Sequence, residues 1–171
     1  MITAGAVVVD TETTDLFGRV IEIGVVDIAG QTLFESLVNP GCPISAEATA
    51  VHGIVDSDVA EAPTLLEVLP RLLEVIEGRP LLAYNAPYDR QVLAADLESR
   101  QRRSKGLTAP RRWGCVMRAR SAATGNPWAR LEGDHRAVGD AQAAAEVLRA
   151  IAAGLADSLA QAPCSRSSAK V

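Results

Sequence analysis

The residues whose types and spacing suit chemistry fall in three stretches. The first is "VVVDTETTD", where the apolar run Val7-Val8-Val9 ends in two acids, Asp10 and Glu12. Residues i and i+2 of a strand share a face, so both carboxylates point the same way. Unpaired carboxylates taken out of water are costly, and neighbours of like charge repel unless a cation lies between them. Oxygen ligands suit a hard divalent ion, Mg²⁺ or Mn²⁺ rather than zinc. The alternative is a solvated pair at a strand end. The second stretch, "LLAYNAPYDRQVL", places Asp89 in the first turn of a helix that follows a strand. Asn85 suits the cap and Pro87 the first turn. Asp89 either gains only from the helix dipole or converges on the edge where Asp10 and Glu12 emerge. The third, "DHRAVGDAQAAAEV", sets His135 five residues before Asp140 at the start of a helix. The chain has two histidines, His52 and His135; each is either structural or a proton carrier near neutral pH.

Positioning these groups requires a sheet. Residues 6–11 and 20–28 read as strands, and Ala29-Gly30-Gln31 as a hairpin turn. Residues 32–38 read as a third strand stopped by Asn39-Pro40. Residues 62–78 have helical periodicity, with Thr64 as N-cap, Gly78 as stop and a kink or break expected at Pro70. A short buried strand over 79–85 leads to a helix over 86–103. A fifth strand over 112–116 precedes "MRARSAA", and an alanine-rich helix spans 137–161. Three strands in succession, then helix-strand-helix-strand-helix, predict a mixed-sheet α/β domain. The expected domain is 1–160, with 161–171 a flexible tail.

The 171 residues are 48% hydrophobic and 22% charged, which fits a single core. There is no apolar run long enough to span a membrane and no signal-peptide pattern at the start. Cys42, Cys115 and Cys164 form no CxxC, so neither a disulfide framework nor a zinc site is expected, and the expected setting is cytoplasmic. Net charge is -4, yet residues 99–131 hold nine of the 17 Lys and Arg and no acid. This segment is either a phosphate-facing stripe or a solvated basic surface.

Together the three stretches resemble the motifs of the DEDDh branch of the DnaQ-like 3′–5′ exonucleases, which includes the proofreading epsilon subunit of bacterial replicative polymerase. "VVVDTETTD", "YNAPYD" and "HRAVGD" match in order and spacing, and the Asn-Pro and Val-His-Gly-Ile segments between the first two also resemble the family. The resemblance implies an RNase H-like fold, a five-stranded mixed sheet with three antiparallel strands first, flanked by helices. It implies two divalent metal ions held by Asp10, Glu12, Asp89 and Asp140, with His135 as general base. It also implies that Thr11, Thr13, His52 and Asn85 bind the terminal nucleotide, with Leu16 or Phe17 against its base. The implied reaction releases nucleoside 5′-monophosphates from the 3′ end of DNA, preferably single-stranded. RNA trimming is the nearest alternative, and a non-catalytic nucleic-acid-binding relative is a more distant one. A homodimer or a replication or repair partner is compatible with the sequence.

Three departures stand out. Tyr84 replaces the histidine many relatives have before Asn-Ala, and Asp15 replaces the glycine many have after Thr-Glu-Thr-Thr. Only 19 residues separate Cys115 from His135, so the shortened loop must hold His135 by other means.

Overall fold

The computed structural model describes residues 5–126 and 129–155; the expected tail and Cys164 lie outside them. Strand β1 (Val7–Thr13) runs two residues past the expected end, because Asp10 and Glu12 stay in register opposite Gly24 and Glu22 of β2 (Val20–Asp27). The turn at Gly30 returns the chain as β3 (Thr32–Leu37), antiparallel to β2. Two short helices follow, α1 (Ala46–His52) and α2 (Asp56–Val59). Their sequences lack an apolar stripe at helical spacing, so periodicity does not reveal them. Local chemistry does specify α1: Ser45 Oγ accepts from the Ala48 amide at 3.1 Å, and Gly53 ends the helix at φ 75°.

Helix α3 (Leu65–Val75) buries Leu65, Val68, Leu69 and Leu72, the spacing of one helical face. Glu67 reaches back to the Thr64 amide at 2.7 Å. Of the kink or break expected at Pro70, the break does not occur: the helix runs through it. Pro70 lies on the exposed side, and Leu66, whose carbonyl loses a donor there, is exposed to water.

Strand β4 (Leu81–Ala83) pairs parallel to β1, and β5 (Trp113–Cys115) pairs parallel to β4. Between them lie α4 (Ala86–Ser99), α5 (Lys105–Thr108) and a single 3₁₀ turn. Helix α6 (Val116–Thr124) begins directly at the end of β5. The final helix, α7 (Ala137–Ala152), stops well before residue 161. Gly154 takes φ 74° and the Leu155 amide turns back to the Ala150 carbonyl, so the alanine-rich composition overstates the helix over 153–155.

The sheet order is β3-β2-β1-β4-β5, the five-stranded mixed sheet that was expected. Its two faces are packed separately. Val7 and Val9 join Ile23, Val25, Leu72, Leu93 and Leu97 on one face, while Val8 and Val26 meet Ala141, Ala144, Ala145 and Leu148 of α7 on the other. Gly24 lets α7 approach, since a Cβ there would lie 2.5 Å from the Ala137 carbonyl carbon. Among the described residues, no helix is long and apolar enough to cross a membrane.

Candidate active site

The alternation of β1 distributes its polar end between the two faces. Asp10 and Glu12 share the parity of Val8 and so face α7; Thr11 shares that of Val9 and faces α4. Carboxylate oxygens of Asp10, Glu12 and Asp140 lie within 4.8 Å of one another. Asp89, buried in the first turn of α4, accepts from Thr11 Oγ1 at 3.1 Å. The four acids thus meet at the carboxyl edge of β1, carried by three different elements.

Their environment favours the neutral form. Burial, then the charges of Asp89, Glu12 and Asp140, hold the Asp10 carboxyl well above the usual range. Burial first, then Asp140, raises Glu12 to about 8, with Arg136 acting against it. Burial raises Asp89 to about 7, opposed by the Thr11 hydroxyl, and also raises Asp140. Such a set is short of positive charge. Four convergent carboxylates, all oxygen donors, have the donor chemistry of a site for hard divalent cations.

The start of α7 is fixed by a residue that the motif reading passed over. Glu22 of β2, almost fully buried, accepts from Arg136 Nε at 3.1 Å on both oxygens and from Arg136 Nη2, and takes the Ala137 amide at 2.9 Å. Its signal in the sequence is an acid inside the apolar run "VIEIGVV". His135 beside it adopts φ 58° and donates its amide to Asp140 Oδ1 at 3.1 Å. Gly133 leaves room there, since a Cβ would sit 1.7 Å from the same oxygen and displace the Asp140 carboxylate. The shortened loop is anchored from the other side. The Tyr84 hydroxyl donates to the Ala129 carbonyl, and Arg120 reaches Tyr84 Oη at 3.3 Å and the Arg130 carbonyl at 2.9 Å.

The four residues expected to bind a nucleotide separate. A cavity of about 480 Å³ opens beside Glu12, lined by Thr13, Leu16, Ser45, Val51, His52 and Tyr88 among others. His52 is buried; its Nδ1 accepts from the Ile54 amide at 3.0 Å, and among the described residues no group is placed to bond Nε2 with good geometry. Burial lowers its pKa, against the Thr13 backbone, which raises it; with Nδ1 accepting, the ring's N–H is on Nε2. Leu16 and Phe17 are exposed at the rim, with the Phe17 ring 6.2 Å from that of Tyr88. Thr11 does not line this cavity: its hydroxyl is committed to Asp89. Asn85 does not line it either. It is exposed and occupies the cap position of α4, but its side chain makes no capping bond.

The basic segment is not one stripe. Arg112 donates to the carbonyls of Ile76, Arg79 and Gly106, and Arg100 pairs with buried Asp96 at 2.9 Å. Arg120 is buried. Arg102, Arg103 and Lys105 flank a cavity at the far end of α4.

A mixed sheet with antiparallel β1 to β3, and acids gathered at the edge of β1 under two helices, define an RNase H-like α/β nuclease fold. A family model described as Exonuclease (RNase_T) matches residues 7–148, and the chain belongs to this exonuclease family. A DNA polymerase III subunit epsilon-like protein of Rhodobacter capsulatus is 46% identical over 97 residues, 51% of this chain and 14% of that protein. The chain spans less than half the length of the curated relatives it matches. Exonuclease X, solved with 5′-overhanging duplex DNA, aligns at TM-score 0.59 and 27% identity, covering 87% of this chain and 93% of that one. The nuclease domain of 3′hExo, a DEDDh family member bound to rAMP, has TM-score 0.68 at 14% identity, covering 87% and 92%, and shares the fold.

Proposed function

We propose that this protein is a metal-dependent 3′–5′ exonuclease that releases nucleoside 5′-monophosphates from DNA, preferably single-stranded. The observation that carries the reading is the convergence of Asp10, Glu12 and Asp140 within 4.8 Å, with Asp89 alongside, next to a cavity of nucleotide size. Asp10, Glu12, Asp89 and Asp140 hold two ions, Mg²⁺ or Mn²⁺, which when bound supply an activated water and offset charge on the leaving 3′ oxygen. The four carboxyls give up their protons as cations bind. His135, exposed and tied by its backbone to Asp140, accepts the proton of the attacking water; an imidazole suits this role near neutral pH. The terminal nucleotide occupies the cavity beside Glu12. There the Nε2–H of His52 donates to it, Thr13 lines its seat, and Leu16 and Phe17 contact the base. The name of Exonuclease X and its DNA complex, at 27% identity, favour DNA over RNA. The free thiols of Cys42 and Cys115 suit a cytoplasmic setting.

The test is digestion of matched 5′-labelled single-stranded DNA and RNA with Mg²⁺, Mn²⁺ or EDTA. The expected result is a metal-dependent ladder shortening from the 3′ end, faster on DNA, with Asp10→Ala inactive at saturating Mg²⁺ and still folded. Faster RNA cleavage would move the substrate to RNA. Full activity in Asp10→Ala would overturn the site.

A further inference from the structure

A second cavity, of about 290 Å³, lies on the same sheet edge two strands from the acids. Among the described residues it is lined by Ala86, Pro87, Arg90, Pro110, Trp113, Cys115 and Arg118, none of them an acid. Its place follows from the register. Val8 pairs with Leu82, and Ala83 with Cys115, so Val9, Ala83 and Cys115 stand abreast and Asp10 is the next residue. Two strand spacings put Cys115 ~10 Å from the acid-bearing strand. Arg90 follows Asp89 directly in α4, so the same first turns of helix carry an acid of the carboxylate cluster and a cation that lines this cavity.

Of the arginines whose side chains have no partner among the described residues, Arg90 and Arg118 are the two that line this cavity. Arg19, Arg100, Arg112, Arg120 and Arg136 are all engaged by carboxylates, carbonyls or hydroxyls. Arg90 is half-buried and Arg118 exposed, and among the described residues neither has a hydrogen bond or an ion pair. Two unneutralised guanidiniums at the mouth of an acid-free, aromatic-walled cavity fit a polyanion. A strand whose 3′ end lies at the acids has phosphodiesters one or two nucleotides upstream at about this distance.

We infer that this cavity binds the phosphodiester backbone of the substrate strand upstream of the scissile bond, through Arg90 and Arg118. The inference rests on the exonuclease reading above. It divides the basic segment by function: Arg118 faces substrate, while Arg102 and Arg103, at the other end of a helix ~21 Å long, do not.

The experiment compares wild type, Arg90→Gln/Arg118→Gln, Arg90→Lys/Arg118→Lys and Arg102→Gln/Arg103→Gln. Two readouts are used: hydrolysis of a dT10 oligonucleotide and of the dinucleotide dTpdT, and anisotropy of labelled dT10 without divalent ions. The expected result is a KM for dT10 raised about 10-fold in the Gln pair, towards that of the dinucleotide, with kcat within about twofold. Binding weakens in parallel, the salt dependence flattens by ~1.4 for two phosphates on a single strand, and the Lys pair recovers part of the loss. The Arg102/Arg103 pair behaves as wild type. Unchanged KM, binding and salt slope in a folded Arg90/Arg118 variant would overturn the inference and leave the exonuclease reading standing. Wild-type protein that binds dT10 with the expected Arg90 and Arg118 dependence but cuts nothing would overturn the exonuclease reading alone. Wild-type protein that neither binds nor cuts dT10 would overturn both.

Discussion

The acids of this protein differ in how they are neutralised. Asp96, buried on α4 two turns after Asp89, receives Arg19 at 3.0 Å, Arg100 at 2.9 Å and the Val20 amide at 3.0 Å. Glu22 is satisfied by Arg136 and the Ala137 amide. Among the described residues, Asp10, Glu12, Asp89 and Asp140 have no cationic side chain of their own in ion-pair contact. Burial without neutralisation therefore distinguishes a site from a staple. Glu22 is a positioning residue, since it holds the segment that presents His135 and Asp140. Replacing it by Gln removes the charge that fixes Arg136, and partners of this kind typically cost 10–100-fold in metal affinity or activity when lost. The expected outcome for Glu22→Gln is a Mg²⁺ requirement shifted upward about 10-fold and a lower kcat, measured well below its melting temperature. A metal titration that superimposes on wild type would show that the pair serves stability alone. At this scale Asp10, Glu12, Asp89, Asp140 and His135 stood out in the sequence as candidates, because each lies beside a strand end or helix start and the order of the three motifs resembles a known family. Of these, the structure gathers Asp10, Glu12 and Asp140. Glu22 and Asp96 did not stand out: Arg136 lies 114 residues from Glu22, and besides its neighbour Arg100, Asp96 is held by Arg19 and the Val20 amide, 77 and 76 residues away. The bond from the Thr11 hydroxyl to Asp89, 78 residues away, was not legible for the same reason.

At the scale of elements, the site depends on α7 lying close against β2. The strands were readable from runs of buried valine and isoleucine, and α3 and α7 from periodicity or composition. Helices α1 and α2 were not, because they pack through a small separate cluster of Ile21, Ile54 and Val59 rather than along an apolar stripe. The end of α7 was overextended because helix propensity carries no stop signal stronger than Gly154. Gly24 is the point where element packing becomes site geometry. A Cβ there meets the backbone of Ala137 and Val138 at 2.5–2.6 Å, and backbone cannot rotate away. Gly24→Ala must therefore push the start of α7 outward and carry His135 and Asp140 with it. Overpacking of this kind costs about 1–3 kcal/mol, which a urea melt would register as a lower midpoint, together with a loss of turnover larger than the unfolded fraction accounts for. An unchanged midpoint and rate would show that α7 has slack against the sheet.

At the scale of the whole molecule, the raised acids link stability to pH and to metal. A carboxyl whose folded pKa lies above its unfolded value contributes stability that is fully present below the unfolded pKa and is lost as pH rises through the folded one. Glu12 at about 8 and Asp89 at about 7, with Asp10 and Asp140 shifted in the same direction, place that loss between roughly pH 4 and 8. Metal-free protein is therefore expected to melt at a lower temperature at pH 8 than at pH 5.5. Divalent ions act in the opposite sense: they bind the ionised carboxylates, compete with protons, and stabilise only the folded chain that assembles the site. The increase in melting temperature on adding Mg²⁺ should accordingly be small at pH 5.5 and several degrees at pH 8, at ~2–4 °C for each kcal/mol. Asp10→Ala separates this from a nonspecific salt effect. Without Asp10 the repulsion on its neighbours falls, so the metal-free variant should melt above metal-free wild type at pH 8 and respond less to Mg²⁺. Equal responses to Mg²⁺ at both pH values, or in both proteins, would mean that the acids do not gather a cation and that their convergence has another cause.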